Sequence, residues 1–113
     1  MVYNEKLTNR VREALIGKAG VEEKRMFNGI AFMVNGKLCM SVGDDRMMLR
    51  IDPALHESVL QKKGCHPMVM KDREYKGYIL VKEDVLRNKE ELNYWVQLAL
   101  DFNPFAKASK KRK

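Results

Sequence analysis

The chain has no long apolar run, few cysteines and no familiar catalytic motif, and each shortage excludes a class of protein. Its 113 residues contain nothing close to the roughly 20 consecutive apolar residues that cross a bilayer, which excludes a membrane-spanning protein. The start of the chain does not join a basic stretch to an apolar run, so no secretory signal is expected. Nucleophile-elbow, metalloprotease, P-loop and dinucleotide-binding patterns are all missing, so an enzyme is not the leading interpretation.

The cysteine content predicts a reduced, cytoplasmic protein. Two cysteines, Cys39 and Cys65, are too few for a disulfide framework. Neither belongs to the paired C-x2-C spacing of a zinc site, so we expect no metal and no cofactor. Cys39 falls within a predicted strand and is read as a small buried side chain. Cys65 is followed by His66 on a predicted loop, the arrangement closest to a thiol nucleophile beside a base.

Positive charge is concentrated at the C-terminus. The net charge is +7, but residues 106–113 carry five basic groups and no acid, which leaves 17 basic against 15 acidic residues elsewhere. A like-charged run of this kind cannot bury a core, so we predict one folded domain over residues 1–105 and a disordered basic tail over 106–113. The tail could attract nucleic acid weakly through its five cations. These are Lys107, Lys110, Lys111, Arg112 and Lys113.

Residues 25–42 predict a β-hairpin. Asn35-Gly36 separates two apolar runs, and both residues tolerate positive φ. A two-residue turn would place Met33 opposite Leu38 and Phe32 opposite Cys39. With a further strand at 47–51, one predicted face is apolar and is expected to be the core: Ala31, Met33, Leu38, Met40, Val42, Met47, Leu49 and Ile51. The other predicted face is mixed, and we expect it either to be covered within the monomer or to bind a partner: Ile30, Phe32, Val34, Lys37, Cys39, Ser41, Met48 and Arg50.

Three helices complete the prediction. Asn4 and Asn88 are good N-cap residues, and Asp52-Pro53 begins a short middle helix. Trp95 lies on the apolar stripe of the last helix and is expected to be buried. Two more strands are predicted at 67–70 and 77–81. The order α-β-β-β-α-β-β-α indicates a two-layer α+β domain with an antiparallel sheet of about five strands and three helices.

Several segments resemble the N-terminal domain of the TfoX/Sxy family. They are 23–32 (EKRMFNGIAF), 35–39 (NGKLC), 48–50 (MLR), 67–68 (PM), 76–78 (KGY) and the helix with Trp95-Val96. The resemblance covers about residues 3–103. The resemblance implies an α+β fold similar to the secretion-chaperone-like group. It also implies a link to the regulation of natural competence, a role associated with two-domain members. It brings no catalytic residues.

The leading hypothesis is therefore a non-enzymatic regulatory domain that acts through protein contacts. Its partner is expected to be a transcription factor or a second copy of the chain. The residues expected to contact it are Arg25, Phe27, Phe32, Met48 and Arg50. The first alternative is weak nucleic-acid binding through the basic tail and Arg25. The second is a thiol-dependent enzyme that uses Cys65 and His66.

Overall fold

In the computed structural model, which describes residues 4–26 and 29–106, one antiparallel sheet carries all of its helices on one side. The helices are α1 (Glu5–Ala14), α2 (His56–Val59), α3 (Glu83–Leu86) and α4 (Lys89–Phe102). The strands are β1 (Val21–Met26), β2 (Gly29–Val34), β3 (Lys37–Val42), β4 (Arg46–Arg50), β5 (Cys65–Met70) and β6 (Arg73–Lys82). Short 3-10 turns at Pro53–Leu55 and Asn103–Phe105 precede α2 and follow α4.

The predicted helix starts are confirmed. The Asn4 side chain accepts a hydrogen bond from the Leu7 N–H at 2.9 Å. Asn88 accepts one from the Glu91 N–H at 3.0 Å. Each cap satisfies a donor that the first helical turn leaves without a partner. No helix in the described ranges is long and apolar enough to cross a bilayer.

The sheet has six strands in the order β1-β2-β3-β4-β6-β5. The predicted α+β class is confirmed, and the strand absent from the predicted order is β1, an exposed edge of charged residues. A short α3 is also added between β6 and α4. The chain runs from β4 through α2 to the far edge, where β5 forms, and β6 returns between them.

The hairpin between β2 and β3 forms as predicted at its turn and then departs from the predicted register. Asn35 and Gly36 have φ of 54° and 79°, and Met33 pairs with Leu38. One residue further along, Phe32 pairs with Met40 instead of Cys39, because Cys39 is the extra residue of a bulge. The predicted grouping of side chains into two faces is therefore wrong on β2.

Because of the bulge, three residues of β2 that were predicted to lie on the mixed face lie in the core instead. Ile30, Phe32 and Val34 belong to the same buried cluster as Met40, Met47 and Leu49, and Cys39 belongs to it as well. Trp95, on α4, is fully buried in this cluster, as predicted. Ala31, Met33 and Leu38, which were expected in the core, lie on the opposite side of the sheet.

Candidate functional site

The two thiols are poor nucleophiles in this fold. Cys39 is 1% exposed and Cys65 is 7% exposed. Burial raises the pKa of Cys39 to about 12 and that of Cys65 to about 11, because the thiolate loses its hydration. Thiolates are therefore scarce at neutral pH.

Cys65 and His66 do not form a catalytic pair. They lie on strand β5, and the prediction that they lie on a loop is wrong. Cys65 pairs with Val81 and joins the core, whereas His66 pairs with Leu80 and is exposed. Neighbouring residues of a strand point to opposite faces, so the sheet separates the thiol from the imidazole.

His56 is a buried polar residue that sequence reasoning did not single out. It is 0% exposed at the start of α2. Its Nδ1 accepts the Gly77 backbone N–H at 3.0 Å, and its Nε2 lies 2.6 Å from a carboxylate oxygen of Glu74. A nitrogen that accepts a hydrogen bond carries no proton, so the proton is on Nε2 and the ring is neutral. The contact with Glu74 is therefore a hydrogen bond from Nε2–H to the carboxylate.

His56, Glu57 and Glu74 bring three ligand atoms within 4.8 Å of one another, which suggests a metal centre by proximity. The tautomer argues against that interpretation. A metal needs the lone pair of Nε2, and this nitrogen carries the proton as long as Gly77 donates to Nδ1. In addition, Glu57 is paired with Lys76 at 2.8 Å. The cluster instead joins α2 to β6.

The side of the sheet opposite the helices presents a second surface, which we call the open face. Its members follow from the strand registers, since directly paired residues share a face. They include Glu22, Lys24, Ala31, Met33, Leu38, Ser41, Arg46, Met48, Arg50, His66, Tyr78, Leu80 and Lys82. Met33 and Met48 are absent from the helix-side core cluster, which places their side chains on this surface.

The open face has an apolar centre and a cationic rim. Met33 is 6% exposed and Met48 is 7% exposed, and Leu80 beside them is half-buried. Lys24, Arg46 and Lys82 surround this centre and are exposed. A flexible thioether floor of this kind adapts to differently shaped ligands.

A small cavity lies at the β4–β6 end of the open face. Its volume is about 90 Å³, and its lining residues are Asp45, Arg46, His66, Leu80 and Lys82. Arg46 and Lys82 lie directly opposite each other on β4 and β6. Like charges in this arrangement repel and destabilise a sheet. This end of the open face therefore has an excess of positive charge, with Asp45 as its one acidic lining residue.

A comparison with known protein families identifies the family of this chain. The family model for the TfoX N-terminal domain matches residues 13–103. The chain belongs to this family. The match begins within α1 and ends after α4, so the TfoX N-terminal domain includes all six strands of the sheet. No curated protein and no solved structure matches the chain.

The residues predicted to contact a partner do not form one surface in this TfoX N-terminal domain. Phe32 is 1% exposed in the core. Arg25 is exposed on β1, where it pairs with Ile30 of the helix-side face. Met48 and Arg50 do share the open face, and the Arg50 guanidinium lies over the Tyr78 ring at 5.5 Å. Phe27 lies outside the described residues.

The five cations predicted to form a nucleic-acid-binding tail also lie outside the described residues, in 107–113. Their role and the domain boundary at residue 105 stay predictions. Sequence analysis missed Lys24, Arg46, His66, Tyr78 and Lys82 as members of one surface. Their common face becomes visible only when β1, β4, β5 and β6 are placed side by side in the sheet.

Proposed function

We propose that this chain is a non-catalytic regulatory domain that binds a protein partner through the open face. The observation that carries the proposal is the contrast between the two sides of the sheet. One side is sealed by α1 and α4 around Trp95, whereas the other presents Met33, Met48 and Leu80 without a helix among the described residues above them. Met33 and Met48 are only 6% and 7% exposed, so they form an apolar floor between exposed charged side chains. An apolar centre within a polar rim is typical of protein interfaces.

The charge of the rim specifies the partner's chemistry. Lys24, Arg46 and Lys82 are exposed cations, and the acids beside them among the described residues are Glu22 on β1 and Asp45 next to Arg46. A complementary protein surface would have an apolar centre surrounded by carboxylates, because opposite potentials across an interface favour encounter and register. For this member of the TfoX N-terminal domain family, we propose a transcription factor as that partner.

The placement of the thiols and histidines in the described part of the chain supports the non-enzymatic part of the proposal. Both thiols have a raised pKa, and Cys65 lies on the opposite face of the sheet from His66. His56 is held as a neutral donor to Glu74 inside the structure. Neither the two thiols nor His56 is placed to act on an external substrate.

The experiment reverses the charge of the rim and asks whether partner binding is lost. Arg46→Glu with Lys82→Glu changes two exposed cations on the open face. Lys18→Glu with Lys63→Glu is the matched control, since it makes the same change in net charge at two exposed lysines outside the open face. Tagged chains are used to capture proteins from host lysate, and the retained proteins are quantified.

The wild-type chain and the control should retain the same protein, and the open-face variant should lose it. Equal retention by all three chains, or no retained protein, would overturn the proposal. A chain without residues 106–113 should still bind the protein. The same chains are titrated with duplex DNA over a range of salt concentrations. Binding of DNA that depends on Arg46 and Lys82, with no protein retained, would replace the proposed partner with nucleic acid.

A further inference from the structure

The two edges of the sheet are protected to different degrees. At one edge, β5 contains Pro67, which has no backbone N–H and so interrupts pairing with another strand. At the other edge, β1 runs for six residues without a proline or a bulge, and β2 is its one neighbour among the described strands. Glu22, Glu23, Lys24 and Arg25 are exposed along it. β1 is therefore the edge at which a further strand could add.

The pairing of β1 with β2 determines which backbone groups point outward. The Asn35 N–H donates to the Gly20 carbonyl at 2.9 Å, so Gly20 and Asn35 are a hydrogen-bonded pair. Backbone groups alternate in direction along an antiparallel strand. Glu22 and Lys24 therefore turn their backbone groups toward β2, whereas Val21 and Glu23 turn theirs toward the outside of the sheet.

We propose that two copies of this chain associate through β1, antiparallel, with Glu23 of one copy opposite Glu23 of the other. The two-fold axis is then perpendicular to the sheet, so the open faces of both copies lie on the same side. The outward N–H of each Glu23 then donates a hydrogen bond to the outward carbonyl of the other Glu23. The observations behind this proposal concern the β1 edge and are separate from those behind the protein partner proposed above, although Lys24 belongs to both surfaces.

Charge complementarity selects this register from its neighbours. It places Glu22 of each copy directly opposite Lys24 of the other on the open face, which forms two opposite-charge pairs. A shift of two residues in one direction would oppose Glu22 with Glu22 and form no opposite-charge pair. A shift in the other direction would oppose Lys24 with Lys24 and Glu23 with Arg25. That second shift is less favourable because Glu23 is already paired with Arg12 of its own chain. Shifts of one residue are excluded, because they would oppose side chains that point to different faces.

The helix side of the proposed interface is also neutralised. The two Glu23 carboxylates approach each other across the axis, and each is already bound by its own Arg12, with N···O distances of 2.6 and 2.8 Å. Glu23 therefore brings a paired charge to the interface. The joined sheet would have twelve strands and one continuous open face, twice the length of that of a single copy.

Charge reversal tests the register with the full chain. Glu22→Lys alone and Lys24→Glu alone each create like-charge pairs, and should weaken self-association by at least about tenfold. The double variant Glu22→Lys/Lys24→Glu restores opposite charges and should associate like the wild type. The two single variants mixed together should form a heterodimer, since each supplies what the other lacks. Sedimentation velocity over a concentration series measures association, and circular dichroism confirms folding.

A disulfide test measures the same register independently of charge. Glu23→Cys should form an intermolecular disulfide on mild oxidation, because paired residues have Cα atoms about 5.5 Å apart, within disulfide range. A cysteine at position 25 (Arg25→Cys) lies on the same face as one at position 23. In the proposed register it is opposite Val21 of the other copy and about four residues from that copy's position 25, so it should not form a disulfide. A wild-type chain that stays monomeric at every concentration overturns the proposal. Unchanged association of both single charge variants, or equal cross-linking at positions 23 and 25, does so as well.

Discussion

The Gly77 backbone N–H donates to Nδ1 of His56 over 3.0 Å, and both residues are buried. This bond connects the start of α2 to a point on β6 where the chain has a φ of 89°. The Gly77 carbonyl in turn accepts the Ile51 N–H at 2.8 Å. His56 and Gly77 together hold the segment after β4 against the sheet.

Replacing His56 should destabilise the fold, because the Gly77 N–H loses its hydrogen-bond acceptor. In His56→Leu the Gly77 N–H stays buried without an acceptor, so the free energy of unfolding should fall by about 1–3 kcal/mol. Glu74→Gln is the control, since its amide oxygen still accepts the Nε2–H, and it should lose much less. Urea denaturation measures both. Equal losses would mean that the bond to Gly77 is not the important one.

Trp95 tests the helix-side core. It is fully buried, and its indole N–H has no hydrogen-bond partner among the described residues. Trp95→Ala should lower the free energy of unfolding by about 3–5 kcal/mol. Trp95→Phe should lose clearly less, because it keeps an aromatic ring and removes the unpartnered donor. An unchanged denaturation midpoint for Trp95→Ala would contradict the assignment.

The thiols should be inert in the native protein. Because burial raises the pKa of Cys65 to about 11, only about one thiol in a thousand is ionised at pH 8. Cys39, with a pKa of about 12, should be less reactive still. A chromogenic disulfide reagent should label neither cysteine in buffer and both in denaturant. Rapid labelling of native Cys65 would reopen the thiol-enzyme alternative.

The ion pair between α1 and β1 predicts a pH dependence. The hydrogen bond from Arg12 lowers the pKa of Glu23 from its usual 4.5, so the folded state binds that proton less readily than the unfolded state. The stabilisation is therefore fully present above pH 4.5 and is lost as the pH falls through the lower folded-state value.

Glu23→Gln tests that dependence. The side chains of Arg12 and Glu23 are 44% and 36% exposed. The variant should therefore lose under about 1 kcal/mol of unfolding free energy at neutral pH. The difference from wild type should shrink steadily below pH 4.5, where the wild-type carboxylate becomes protonated. Denaturation at several pH values measures it. A difference that persists in acid would assign the effect to something other than the charge.

Features determined by neighbouring residues could be predicted from the sequence. The Asn4 and Asn88 caps and the turn at Asn35-Gly36 depend on contacts a few residues apart, and all three are present. The stripe that buries Trp95 follows from helical spacing and is confirmed.

The face assignment failed because one residue of β3 is extra. A bulge at Cys39 reverses which side chains of β2 share a face with those of β3. Neither the residue types nor their spacing in the sequence predicts this bulge. β1 escaped prediction because its exposed charged residues lack the apolar alternation that identifies a strand. His56 escaped because its partner Gly77 lies 21 residues away and is brought near only by the fold.

The position of the partner-binding site can be measured with methionine methyl groups as reporters. Met33 and Met48 lie on the open face, whereas Met40 and Met47 are 0% exposed in the helix-side core. With the methionine methyl groups labelled with carbon-13, the protein retained by the wild-type chain is titrated into the sample. We expect the Met33 and Met48 signals to shift or broaden in proportion to the protein bound, with much smaller changes at Met40 and Met47. Bound protein that leaves the Met33 and Met48 signals unchanged would contradict the assignment of the open face as the binding site.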